Sequence, residues 1–314
     1  MRVVVVGTGG VGGLVGALLA RAGAEVAFVA RGANLGALRT RGLRVEGAIG
    51  NFAVLPLEAS EDPALLRPAD VVLVALKTWQ VAAMAPRLAP LLAGGGFVVP
   101  LQNGLEAHDR LAAGLGAERV VGGLCHMISW SEGPGLIKQT GPAPGITVGE
   151  WGGGLSPRLE ALGALLTSAG IRPTLTKRVQ ADLWEKALFV EAYGAVGAVA
   201  RLPLGRLRAA PETRALLEQA MTETARVAAA SGQVLADGPV ERAMARVDLL
   251  PAEATASMHR DLFAGRLSEL DDQTGAILRA AQRAGLGDSV PLHRFLFACL
   301  WPHEQTARSG AAQG

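Results

Sequence analysis

The chain has 314 residues, half of them apolar, and a formal net charge of +2. That length suits two domains with separate cores, and the small charge, without a long run of like-charged residues, excludes an electrostatic footprint for nucleic acid or a membrane surface. Cys125 and Cys299 are too far apart for a zinc spacing or a disulfide framework, and the five histidines form no metal-ligand pair, so a reducing cytoplasm and no metal are expected.

Residues 2–6, RVVVV, are β-branched, too short for a helix and apolar on both faces, which predicts a central strand of a parallel sheet. Glycines lead into VGGLVGALLARAG, a small-residue helix predicted to end at Gly23, and EVAFVAR supplies a second strand. Arg2, this apolar stretch and Ala20-Arg21-Ala22 imitate a secretory signal. Glycines at 7, 9, 10, 12, 13 and 16 interrupt it and a strand follows directly, so the segment is read as a folded βαβ unit. VVLVALK at 71–77 predicts another buried strand, a helix is expected over about 79–92, and GGFVVPLQNG supplies the next strand. The alternation predicts an α/β fold with a doubly wound parallel sheet. Residues 119–150 read as several shorter strands joined by Gly/Pro turns. Beyond about 175, Ala, Leu, Arg and Glu dominate and no strand is convincing. The expected division is a nucleotide-binding domain over 1–174 and a helical domain over 175–314. No segment offers an uninterrupted apolar run long enough to span a membrane, and only ARSGAAQG at the end is expected to be disordered.

VVVVGTGGVGG places Gly7, Gly9 and Gly12 as G-x-G-x-x-G, directly after a strand and at the start of a helix. The first glycine permits a tight turn, the second lets backbone approach a pyrophosphate, and the third allows close helix–strand packing. The helix N-terminus then offers free N–H groups to phosphate. Gly7, Thr8, Gly9, Gly10, Val11 and Gly12 are therefore candidate cofactor residues. The second strand ends in Ala30-Arg31, where NAD-binding chains place a carboxylate for the ribose. An arginine there pairs with a 2′-phosphate, so NADP(H) is the expected cofactor; a solvated surface arginine is the alternative. Ligands bind at the carboxyl ends of parallel strands, which singles out Lys77 and Gln102-Asn103-Gly104. A loop charge and an Asn-Gly turn are their simpler readings. Of the 30 Lys and Arg residues only Lys77, Lys138, Lys177 and Lys186 are lysine, which draws attention to Lys186 at the head of the apolar WEKALFVEAYGAVG. It is either a surface charge or a group held at a pocket mouth. In SMHRDLFAGRLSELDDQTG, Ser257, Asp261, Glu269, Asp271 and Asp272 surround Gly265, and for Asp272 a solvated acidic helix is expected.

VVVVGTGGVGG, LKTWQ, LQNG, ADLWEKALF, and SM followed by RLSELDDQTG resemble, in order and spacing, the ketopantoate reductases (2-dehydropantoate 2-reductases) over nearly the whole chain. The resemblance implies a Rossmann-type domain, an all-helical C-terminal domain like that of 6-phosphogluconate dehydrogenases, and an active site in the cleft between them. It implies NADPH-dependent reduction of a 2-keto acid, 2-dehydropantoate to pantoate in coenzyme A biosynthesis. Residue by residue, it implies that Lys186 is the catalytic lysine and proton donor, Ser257 binds substrate, and Glu269 meets substrate and cofactor. Asn103 matches the asparagine of the NG motif, Lys77 the lysine of the LK motif, Arg31 the 2′-phosphate contact and Ile128 a backbone contact to the cofactor.

The family usually carries asparagines at the fourth and eighth positions after the lysine and another in the loop beyond, where this chain has Val190, Gly194 and Leu204. A substrate hydroxyl buried against those residues would lack a partner. The reaction and the substrate are therefore separate expectations. A related reductase of a more apolar keto substrate is one alternative, and a non-catalytic NADPH-binding redox sensor is another. Lys186 together with Glu269 favours an enzyme, because a sensor needs no proton donor. The expected partner is a small molecule, with no nucleic acid and no membrane, and apolar helical surface in the second half is compatible with a homodimer.

Overall fold

In the computed structural model, which describes residues 1–311, the chain forms two units: Met1–Gln102 with Ala107–Val179, and Asn103–Glu106 with the residues from Gln180 onward. The first opens with β1 (Arg2–Val6), α1 (Gly10–Arg21), β2 (Glu25–Val29), α2 (Gly32–Thr40), β3 (Leu43–Gly47), β4 (Phe52–Val54) and β5 (Glu58–Ser60). It continues through β6 (Val71–Val74), α3 (Thr78–Met84), β7 (Phe97–Pro100), α4 (Ala107–Leu115), β8 (Gly122–Gly133), β9 (Leu136–Gly149), α5 (Pro157–Ser168) and β10 (Arg172–Leu175). Strands β5, β2, β1, β6 and β7 lie side by side in that order, every neighbour parallel. Val3 and Val5 face one apolar cluster and Val4 and Val6 another, which is why the run is apolar without alternation. This is the doubly wound, Rossmann-type sheet expected from the sequence. Arg2, buried at the start of the central strand β1, donates to Glu25 (2.5 Å) and Glu58 (2.8 Å), tying β1 to β2 and β5. The residues that imitate a signal sequence thus form a strand and a helix of the core.

Two stretches depart from expectation. The helix expected over 79–92 is split, because α3 gives way at Ala85 to 3-10 turns through Leu92, where Pro86 and Pro90 offer no N–H for an α-helical ladder. Residues 119–150 form one long antiparallel pair, β8 with β9, rather than several short strands. The register slips between His126 and Ile128, and Gly141, Pro142, Ala143 and Pro144 fall between the paired positions Thr140 and Gly145. Gly133-Pro134-Gly135 is a turn as expected and joins β8 to β9, but the Gly/Pro signal at 141–144 marks a bulge, which interrupts hydrogen bonding without reversing the chain. β9 also pairs in parallel with β3 and β10, completing a second sheet ordered β10-β9-β3-β4.

The second unit is helical: α6 (Val179–Ala200), α7 (Leu204–Ala209), α8 (Pro211–Ala230), α9 (Pro239–Leu249), α10 (Ser257–Phe263), α11 (Thr274–Arg283) and α12 (Pro291–Ala311). Among the described residues no strand follows β10. Helix α6 is the core element, with Leu188, Phe189, Ala192, Ala195 and Val196 all buried. α12 runs through much of the tail expected to be disordered, and residues 312–314 lie outside the described residues. His293 of α12 is wholly buried between two carboxylates: Nδ1 lies 2.7 Å from Glu223 of α8, and Nε2 lies 3.0 Å from Glu191 of α6. Burial disfavours the imidazolium, but Glu191 and Glu223 outweigh it and hold His293 up at about 9. Burial likewise opposes the Glu223 carboxylate, yet His293 and the N–H groups of Leu292 and His293 hold its carboxyl below the ordinary range. Among the described residues no helix is long and apolar enough to cross a membrane.

Candidate functional site

Each glycine of the first turn meets different surroundings. Gly7 ends β1 at φ +99°, and a Cβ there would stand 2.8 Å from the Ala75 carbonyl oxygen, so only glycine makes this turn. A Cβ at Gly12 would run into the Gly7 carbonyl, and one at Gly10 into the Ser129 backbone of β8. At Gly9 an added methyl would meet nothing within 4 Å. The turn is therefore packed at three glycines and open at the fourth. Helix α1 begins there with no acidic residue in its first turn and no side-chain cap, leaving its N–H groups to an anion. Ser129, against Gly10, has a buried hydroxyl without a hydrogen-bond partner. Ile128, at the slip in β8, is 41% exposed. Thr8 is buried and Val11 half-buried. Arg31, between β2 and α2, is exposed and has no ion-pair partner among the described residues. Lys77 precedes α3, its ammonium 5.7 Å from the centre of the Trp79 ring. An open glycine cradle and an uncapped helix N-terminus fit the pyrophosphate of a dinucleotide. Gln102 has a structural task, donating to the carbonyls of Val74 (2.9 Å) and Leu76 (3.0 Å) at the end of β6.

In the helical unit, Lys186 on α6 is 9% exposed, and its Nζ is buried without a hydrogen-bond partner. These are not the surroundings of a solvated surface charge, and holding an unpaired amine there costs free energy. Val190 and Gly194 lie one and two turns further along the same face. A Cβ at Gly194 would stand 3.2 Å from Ala256 Cβ and 3.3 Å from Met258 Cε, so the start of α10 packs against α6 at that point. Between those two residues sits Ser257, half-buried at the first position of α10. Leu204, expected in a loop, is the first residue of α7 and is fully buried in the helical core.

Glu269 is 7% exposed and Asp272 6% exposed, both in the turn segment before α11. The expectation of a solvated acidic helix at Asp272 is therefore wrong. Gly104, at φ +95°, brings its backbone against the Asp272 carbonyl, which closes that side of the segment. Asn103 belongs to this unit, and its neighbourhood is clamped to α11: Arg279 donates to both oxygens of Glu106 (3.0 and 2.8 Å) and to Asp271 (2.8 Å). Glu106, then Asp271, raise the Arg279 pKa above its ordinary value against the effect of burial. Ser268, beside Glu269, donates its N–H (3.0 Å) and hydroxyl (2.7 Å) to Glu304, fully buried on α12. Sequence reasoning singled out none of Glu106, Arg279, Ser268 and Glu304. Each sits in an ordinary helix or turn context, and only Glu106, close after Asn103, carried a positional hint.

The first unit thus gathers the glycine turn, Arg31, Lys77 and Ile128, and the second gathers Asn103, Lys186, Ser257 and Glu269. Residues 3–153 match the sequence profile of the ketopantoate reductase PanE/ApbA family, and residues 178–304 match that of its C-terminal part. A 2-dehydropantoate 2-reductase of Halobacterium salinarum is 34% identical over 300 residues, covering 94% of this chain and 96% of the relative. The crystal structure of 2-dehydropantoate 2-reductase from Geobacter metallireducens GS-15 superimposes with a TM-score of 0.89 at 30% identity, covering 96% of this chain and 99% of that one. A D-mandelate dehydrogenase solved with NADH and anilino(oxo)acetate shares the fold, with a TM-score of 0.87 at 20% identity over 98% of this chain and 100% of that one. Matched in both of its parts and by relatives along nearly all of its length, the chain belongs to the ketopantoate reductase family of nucleotide-dependent oxidoreductases acting on CH–OH groups.

Proposed function

We propose that the chain reduces a 2-keto acid to the 2-hydroxy acid with NADPH, 2-dehydropantoate being the substrate that its relatives' names suggest. The observation that carries this reading is Lys186, a buried amine without a partner in the same unit as Asn103, Ser257 and Glu269. When bound, the reduced nicotinamide supplies a hydride to the carbonyl carbon. Lys186 meets the carbonyl oxygen, stabilises the negative charge growing on it and gives it a proton, so carbon gains the hydride and oxygen the proton. Ser257 holds the substrate carboxylate, and Asn103 and Glu269 orient substrate and cofactor. Residues 1–174 bind the nucleotide: the turn from Gly7 through Thr8, Gly9, Gly10 and Val11 to Gly12 takes the pyrophosphate, Arg31 takes the 2′-phosphate, and Lys77 and the Ile128 backbone flank it. Residues 175–314 carry the substrate chemistry, joined by Asn103.

The test measures NADPH and NADH binding in parallel, then oxidation of each with 2-dehydropantoate and a panel of 2-keto acids. Lys186→Ala should lower kcat by about 100-fold or more while leaving the NADPH dissociation constant within about threefold. Normal turnover by that variant would remove the proton-donor role. Equal affinity for the two nucleotides would remove the assignment of Arg31. A second reading, a keto acid lacking a hydroxyl, is favoured by Gly194, whose side-chain space is filled by Ala256 and Met258. Under it, 2-dehydropantoate ranks below an unhydroxylated keto acid in the same panel.

A further inference from the structure

The face of α6 that carries Lys186 also carries Phe189 and Tyr193, three and seven residues on. Their rings stand 5.2 Å apart, and the guanidinium of Arg246, from α9, lies 4.6 Å from the centre of the Phe189 ring. The Tyr193 hydroxyl has no hydrogen-bond partner among the described residues. Burial raises its pKa above the ordinary phenol value, with Arg260 and Arg246 opposing, so it keeps its proton and remains a donor. Neither Arg246 nor Arg260 has a carboxylate at ion-pair distance among the described residues. Elsewhere in the same unit Arg214, Arg242, Arg266, Arg279, Arg294 and Arg308 each hold one, whereas Arg208 and Arg226 donate to backbone carbonyls and Arg201 and Arg206 hold none among the described residues. Two guanidinium groups are thus left without acids around one unpartnered phenol, on the helix face that bears the unpartnered amine.

Resting on the reading that Lys186 receives the carbonyl oxygen, we propose that Arg246, with Tyr193, binds a second carboxylate at the far end of the substrate, making the substrate class 2-keto dicarboxylic acids. The spacing supports a remote group rather than the carboxylate next to the carbonyl. Phe189 and Tyr193 lie about 5 Å and about 10 Å from Lys186 along the helix axis. Between them α6 offers Val190, and Gly194 is closed by Ala256 and Met258, so nothing there pairs a hydroxyl and apolar atoms face a methylene spacer. Arg246, its guanidinium carbon 4.6 Å from an aromatic ring centre and its N–H groups uncommitted among the described residues, has the fork that a carboxylate takes in two hydrogen bonds. Arg260, which donates to the Thr255 carbonyl and hydroxyl, adds positive charge to the surroundings of Tyr193.

Initial rates with NADPH would be compared for 2-oxoglutarate and 2-oxoadipate against 2-oxovalerate and 2-oxohexanoate, which have the same chain lengths but end in methyl. The dicarboxylates should show kcat/KM at least about tenfold higher. Arg246→Gln should raise KM for the dicarboxylates about tenfold or more with kcat nearly unchanged and leave the methyl-ended acids as they were. Arg246→Lys should restore part of the loss, and Tyr193→Phe should move KM in the same direction by less. Melting temperatures of the variants, compared with the native chain, separate a binding loss from a folding defect. Equal preference for the two series, or an Arg246→Gln loss shared by both, overturns the inference while leaving 2-keto acid reduction in place. If neither series nor 2-dehydropantoate oxidises NADPH or NADH, the role of Lys186 falls and this inference with it.

Discussion

Gly9 and Gly12 stand in the same turn, yet a methyl group would meet open space at the first and the Gly7 carbonyl at the second. Glycine at 12 is demanded by the fold; glycine at 9 is not, and under the proposed function it leaves room for the pyrophosphate to approach the backbone. Gly9 has φ −71° and ψ −169°, which alanine adopts freely. Gly9→Ala should therefore melt within about 2 °C of the native chain and bind NADPH at least about tenfold more weakly. Gly12→Ala should lose about 2 kcal/mol or more of stability, read by thermal denaturation. Unweakened NADPH binding by Gly9→Ala would mean that no pyrophosphate lies against Gly9. The residue scale is also where the sequence spoke ambiguously. Lys186 and Asp272 both allowed a solvated reading, and both side chains are buried. Whether a charged side chain within a helix or in a turn is solvated depends on which distant segments pack there, as Gly104 does against the Asp272 backbone.

Among the elements, α12 does work that its sequence does not advertise. Glu304 is fully buried in it and accepts both the N–H and the hydroxyl of Ser268, whose oxygen in turn accepts from the N–H of Leu270. The turn residue between Ser268 and Leu270 is Glu269, so a carboxylate from α12 fixes the backbone on either side of a proposed catalytic group. Glu304→Ala would leave two buried donors unsatisfied and should cost about 3 kcal/mol, with kcat lowered as Glu269 loses its fixed position. Glu304→Gln keeps an acceptor and should recover most of both. Equal stability of the alanine variant and the native chain in denaturant titrations would rule this anchoring out. The other elements divide by signal strength. The parallel strands were legible because two covered faces require continuous β-branched runs. The β8–β9 pair was misread because Gly and Pro break hydrogen bonding in a bulge as well as in a turn, and only the partner strand distinguishes the two.

For the molecule as a whole, the buried His293 cluster sets a pH dependence of stability. His293 is raised from 6.5 to about 9, so its contribution is fully present below pH 6.5 and is lost as pH climbs through 9. Glu223 is lowered from 4.5, so its contribution is fully present above pH 4.5 and is lost as pH falls through its lowered value. Both are at full strength only between 4.5 and 6.5. The melting-temperature advantage of the native chain over His293→Gln should be greatest in that window and shrink by about 5 °C toward alkaline pH. A gap that stays constant from pH 6 to about pH 10 would show that the histidine is neutral in the fold.

By itself, the sequence determined four of the five parallel strands (β1, β2, β6 and β7, but not β5), the glycine turn, the helical character of the second half and the family, because each of these is written in local periodicity or contiguous motifs. Only the tertiary structure decided which polar groups are buried, which arginines are paired and which glycine faces open space. Those properties depend on contacts between residues far apart in the chain, such as Arg279 with Glu106 or Ser268 with Glu304, and no local pattern encodes them. WEKALFVEAYGAVG gave the helix and its lysine; what stands against that helix at Phe189, Tyr193 and Gly194 comes from α9 and α10, and chain topology alone brings them there.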